Sequence, residues 1–232
     1  MEQYLVNTAK KPCAVNFIIT TDGSQVPVYI VGYDPINPNT LYFRSRFRIT
    51  GTEEVTMRCP QSPRMLKIIV WSEGNLPYRL SSVKLLPLNA LKSQEPVVMF
   101  VEKFSRQAGR LWPGNYTADN VPFTIQYKRN IYTDTGKDHP TPARIHTELP
   151  IIQVSKSKFN QMTIPERVII LLHEVAHNFI NYDQDSEKES DHNGLNIYNQ
   201  LGYPKIEAIN AFADIMQDTD NNYQRMLNLV NM

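Results

Sequence analysis

Hydrophobic and polar positions follow two rhythms along the chain, and the change falls near residue 92. In the first part, apolar residues come in short runs: Ala14-Val15-Asn16-Phe17-Ile18-Ile19, Val26-Pro27-Val28-Tyr29-Ile30-Val31 and residues 41–49. The last run alternates, with Leu41, Phe43, Ser45, Phe47 and Ile49 on one side and Tyr42, Arg44, Arg46 and Arg48 on the other. Successive side chains of a strand point to opposite faces, so this run predicts a half-buried strand whose arginine face is solvated. Shorter runs at 54–58, 65–71 and 82–86 read the same way. Asp22-Gly23, Asn37-Pro38-Asn39, Cys59-Pro60-Gln61-Ser62-Pro63 and Gly74-Asn75 separate them as turn signals. Short strands with no helical pattern among them predict an antiparallel β-sandwich over residues 1–92.

From residue 94 the apolar positions recur at helical spacing. Val97, Phe100, Val101, Phe104 and Ala108 follow Pro96, which a first helical turn tolerates, and Gly109 closes the run. Strands are expected at 121–127 and 150–155, with a polar surface loop at 133–142 between them. The best-signalled element comes next. Thr163-Ile164-Pro165-Glu166 fits a capping box, in which the Thr163 hydroxyl caps the helix and Glu166 reaches back. That helix should extend to about residue 181, followed by helices at 186–201 and 204–216 divided by Gly202-Tyr203. Residues 93–232 therefore read as a second domain, and the whole chain as α+β.

Composition narrows the classes. Hydrophobic residues make up 41% and charged residues 20%, as in an ordinary globular chain. Lys plus Arg number 24 against 23 Asp plus Glu, so no bulk positive charge indicates a nucleic-acid partner. No apolar window reaches the roughly 18 residues of a membrane span. Met1-Glu2-Gln3-Tyr4-Leu5-Val6 lacks the basic and apolar stretches of a signal peptide. Cys13 and Cys59 are too few for a disulfide framework and read as free thiols in a reducing compartment.

Chemistry enters with His173-Glu174-Val175-Ala176-His177, inside the capped helix. Histidines four apart fall on one helix face, where both imidazoles can bind one metal ion. Glu174 projects beside them, placed to take a proton from water on the metal rather than to bind it. With 5 His in 232 residues, the three fixed positions should match by chance roughly 0.005 times per chain. Two core histidines on an amphipathic helix are the plainer reading. It fits poorly behind the apolar run 168–172, which does not invite three clustered polar groups.

A tetrahedral zinc site needs a third protein ligand and an open position. Downstream stands Ser186-Glu187-Lys188-Glu189-Ser190-Asp191. Here the chain resembles the zincin metallopeptidases, and among them the gluzincins, whose Glu-x-x-(Ser/Ala)-Asp motif Glu187, Ser190 and Asp191 match position by position. The resemblance implies a Zn2+ site with Glu187 as third ligand, and Asp191 holding the ring N–H of a histidine ligand. It departs in spacing: nine residues separate His177 from Glu187, fewer than is usual in gluzincins. A tight hairpin could exchange the two roles, with Asp183 or Glu189 next in line. The metzincin pattern fits less well, since it needs glycine where Ile180 stands and a ligand at Asp183. A solvated helix start, where the dipole favours acids, is the plainer account of the acidic cluster.

Other candidates are less specific. Tyr182, His192, Tyr198 and Tyr203 could each stabilise an oxyanion, but packing or surface roles are the default. His146 reads as a surface residue before the strand at 151–154, where zincins place the sheet edge that pairs with an extended substrate. Gly194 should allow close packing against the metal helix. Residues 191–212 also resemble zincin-like proteins of tailed phages of the crAss-like kind, which implies a virion as an alternative to a cytoplasmic location. Two functions follow as expectations. One is a zinc metallopeptidase acting on a protein or peptide, with Glu174 as general base and the β-domain engaging targets or assembly partners. The other is a structural neck, tail or assembly protein that keeps a zincin fold as a scaffold.

Overall fold

The computed structural model describes residues 1–90, 92–146, 148–180, 186–215 and 220–231. The chain is mixed α+β and divides into two compact units, Met1–Leu91 and Lys92–Met232.

Among the described residues the first unit has seven strands, β1 (Glu2–Asn7), β2 (Cys13–Thr20), β3 (Val26–Asp34), β4 (Asn37–Ile49), β5 (Thr52–Cys59), β6 (Met65–Ser72) and β7 (Arg79–Pro87), with a 3₁₀ turn at Glu73–Asn75. They form two antiparallel sheets, ordered β1-β6-β3-β4 and β5-β2-β7. Alternation decides which side chains are inside: Val28 and Ile30 of β3 and Leu66, Ile68 and Val70 of β6 are all fully buried or nearly so. Arg44, Arg46 and Arg48 are exposed, as their alternation requires, while Tyr42 is buried. On the outer face Tyr29 stacks on Trp71 with ring centroids 5.1 Å apart, and Arg46 lies 5.5 Å from the Tyr29 centroid. The turn expected at 37–39 falls earlier. Asp34 Oδ1 accepts a hydrogen bond from the Ile36 N–H at 2.9 Å and closes the hairpin at Asp34–Asn37. Pro38 then lies inside β4, which an edge strand tolerates.

The second unit contains α1 (Pro96–Gln107), β8 (Gly114–Tyr116), β9 (Thr124–Lys128), β10 (Ala143–Ile145), β11 (Ile151–Ser155), α2 (Lys156–Phe159), α3 (Ile164–Phe179), α4 (Glu187–Gln200), α5 (Lys205–Ile215) and α6 (Asp220–Asn231). Its sheet is ordered β10-β11-β9-β8, with β9 and β11 parallel and the other pairs antiparallel. The strand at 151–155 is thus interior, not the edge expected from the resemblance. The edges are β10 and β8, each of three residues and so too short to announce itself by alternation. No helix among the described residues is long and apolar enough to cross a membrane.

α3 lies at the centre of this unit. The Thr163 hydroxyl accepts from the Glu166 N–H at 3.3 Å and the Glu166 carboxylate accepts from the Thr163 N–H at 2.6 Å, so the capping box is closed on both sides. Val168, Ile169, Ile170, Leu171, Leu172, Val175 and Ala176 are essentially inaccessible, and α3 packs against α1, α4, α5 and β10. Burying each large side chain contributes about 1.5–3 kcal/mol, which fixes the helix and with it the motif at its C-terminal end. Gly194 is where α4 comes closest. A Cβ there would stand 3.2 Å from the His173 nitrogen and 3.4 Å from the Leu172 carbonyl carbon.

Candidate metal centre

The motif sits on a cleft of about 550 Å³ lined by α3, α4, α5, α6 and the segment 139–145. His173 and His177 stand one turn apart with their rings edge to face and their Nε2 atoms 3.2 Å from each other. Glu187, in the first turn of α4, lays its carboxylate across both rings. Its Oε2 is 3.4 Å from His173 Nε2 and its Oε1 is 3.5 Å from His177 Nε2. One donor atom from each of the three residues lies within 4.8 Å of the others, a group able to hold a metal ion. Ligands on a tetrahedral ion with bonds of about 2.0–2.2 Å stand about 3.3–3.6 Å apart, close to the separations found here.

Asp191, one turn further along α4, is 4% exposed and lies behind the first ring, with Oδ1 3.0 Å from His173 Nδ1. That contact has ion-pair distance but lies off the hydrogen-bonding axis. The two acids therefore meet His173 at opposite nitrogens, Glu187 on the cleft side and Asp191 on the far side. Glu174 turns toward the sheet, where its Oε2 accepts a hydrogen bond from the Ile145 N–H of β10 at 2.7 Å. β10 pairs with β11, and just beyond its end the His146 N–H donates to Ile151 O at 2.8 Å.

The charges of the cluster depend on one another. Burial opposes a proton on His173, but Asp191 and Glu187 beside the ring overcome it and raise the group to about 9. His173 in turn holds Glu187 down to about 2, against partial burial and with help from Arg225 and His177. Burial pushes Glu174 upward, countered by the two histidines and the Ile145 N–H.

Arg225 of α6 is the member that the sequence analysis missed. Its guanidinium reaches Asp191 at 2.9 Å through two nitrogens and Glu187 at 2.8 Å. The only sequence signal is helical spacing: Arg225 stands four residues before Leu229, which is 1% exposed.

The remaining candidates lie elsewhere. Tyr182 and Asp183 fall outside the described residues. The Glu189 N–H donates to the capping Ser186 hydroxyl at 3.2 Å, and Glu189 is not among the grouped donors. His192 is exposed and lines a separate cavity between α4 and α6. Tyr198 is buried, stacks on Tyr203 at 4.9 Å and donates to Pro204 O, while Tyr203 donates to Glu102. Both tyrosines join elements. The half-buried His146 accepts from the Glu148 and Leu149 N–H groups and shapes the turn before β11. Comparison of the chain with protein-family models, curated proteins and solved structures finds no match.

Proposed function

We propose that the chain is a zinc-dependent peptidase whose second unit is a zincin-type catalytic domain. One observation carries this reading: two Nε2 atoms and a carboxylate converge at 3.2–3.5 Å around one point on a cleft. His173, His177 and Glu187 hold the ion, and Asp191 supports His173 from behind. Zinc held there supplies Lewis-acid chemistry, acidifying water and polarising a carbonyl. Glu174 is the general base. The Ile145 N–H holds one of its oxygens, which leaves the other to take a proton, and burial raises its proton affinity. An extended peptide lies along β10, an edge strand of the sheet beside the cleft. The first unit is a β-sandwich that directs the enzyme to its target.

A scaffold role has no observation of its own in its favour, because a scaffold needs no carboxylate held beside a ligand cluster. The experiment is direct. Prepared without chelator, the protein should carry one zinc per chain and cleave peptides. Glu174→Gln should retain the zinc and lose cleavage by about 10²–10⁴-fold. A chain that holds no zinc and takes none up sinks the metal centre. Equal cleavage by both proteins sinks the role of Glu174.

A further inference from the structure

The Arg225 guanidinium is 15% exposed and joins two acids of α4, Glu187 and Asp191. Its Nε donates to Asp191 Oδ2 at 2.9 Å, and Nη2 serves both Asp191 Oδ1 at 2.9 Å and Glu187 Oε2 at 2.8 Å. Those acids stand one helical turn apart and touch the same imidazole, so by residue type alone either could be a ligand. Simple charge neutralisation would ask only for a cation nearby. A planar fork bonded along one edge fixes the plane of Asp191, and its shared nitrogen fixes one oxygen of Glu187. The fork is itself held in place. Leu229 of α6 is buried and the Lys205 ammonium donates to Val230 O at 2.8 Å, tying the end of α6 to the start of α5.

Resting on the metal-centre reading above, we propose that Arg225 is a positioning residue that divides two interchangeable carboxylates into separate duties. It pins Asp191 behind His173 Nδ1 and turns Glu187 toward the two Nε2 atoms, so that Glu187 alone joins the histidines on the metal. Without the fork, Asp191 is free to swing and Glu187 to offer both oxygens, and the ion gathers more ligand atoms than three.

Cobalt(II) is the probe, because its visible absorption is strong in four-coordinate sites and weak in five- or six-coordinate ones. Wild type, Arg225→Met and Arg225→Lys are loaded with cobalt, and zinc affinity is measured alongside. The wild type should show the intense spectrum. Arg225→Met should show a weaker, shifted one, with zinc bound about 10–100-fold less tightly, as for other losses behind a metal ligand. Arg225→Lys keeps the charge without the fork, so its spectrum should also depart from wild type. The spectrum decides. Arg225→Met with the wild-type spectrum overturns the proposal, whatever its melting temperature, since a merely structural ion pair would move only the latter. Should Arg225→Met fail to fold, Arg225→Lys is judged by the same rule. If the wild type binds neither zinc nor cobalt, the metal-centre reading falls and takes this one with it. If it binds both and the variants match it, only the positioning role falls.

Discussion

Glu187 and Asp191 show how one turn of helix separates two chemistries. Glu187 faces both Nε2 atoms at 3.4 and 3.5 Å, whereas Asp191 meets only the far nitrogen of one ring. Glu187→Ala should therefore cost more zinc affinity than Asp191→Ala, whose loss should stay near the roughly 10–100-fold typical of a supporting residue. Competitive zinc titration of both variants decides it, and the opposite order would make Asp191 the ligand. The proton on His173 gives a second test. With its ring raised to about 9, the metal-free site carries an extra proton at pH 7.5, and zinc needs that ring deprotonated. Zinc uptake should release about one proton at pH 7.5, and the release should fade as the pH passes through about 9. Calorimetry in buffers of different ionisation heat measures it, and a heat independent of buffer would show the ring neutral from the start. The histidine pair and Glu174 were legible in the sequence because helical periodicity alone puts i and i+4 on one face. Which acid faces which nitrogen was not, because it depends on the crossing of two helices.

At the scale of elements, that crossing depends on Gly194. A methyl group there would press on the backbone of His173 and Leu172 at 3.2–3.4 Å, and backbone cannot step aside as a side chain can. Gly194→Ala should push α4 outward, destabilise the unit by about 1–3 kcal/mol and weaken zinc binding, since Glu187 and Asp191 ride on the same helix. Denaturant melts and zinc titration check both effects. Wild-type zinc affinity in a destabilised variant would mean that the acids adjust independently of the helix. The position of this glycine was legible, as was the capping box that begins α3, because both are local signals. β1, β8, β10 and α6 were not expected. Strands of three residues are too short for alternation to show, and β1 is a half-buried edge strand whose outward face includes Leu5. The cost was largest for β10, whose Ile145 N–H holds Glu174, and for α6, which brings Arg225.

For the whole molecule, the shift from a period of two to a helical period marked the place where the chain divides into two units. The grouped donors, both acids and Arg225 all belong to the second. Residues 92–232 expressed alone should fold cooperatively and bind zinc with the affinity of the full chain. Circular dichroism melts and metal titration test this, and an unfolded or zinc-blind fragment would mean that the first unit is needed to complete the second. The spacing of the site along the chain has a kinetic consequence. Arg225 finds Asp191 across 34 positions, and the contacts of His173 with Glu187 and Asp191 span fewer still. Glu2 of the first sheet must find Val70 and Val28 must find Ser72, so that beyond the β3–β4 hairpin the pairings of that sheet wait on longer searches. Closing short loops loses less entropy, and local contacts form soonest. During refolding from denaturant His173, His177 and Glu187 can therefore meet while β1 and β6 are still searching, and on the proposed metal centre an ion present at the outset should serve as a folding nucleus. Zinc in the refolding buffer should then speed the recovery of the second unit, rather than merely stabilise it once formed, and a refolding rate unchanged by zinc would overturn this.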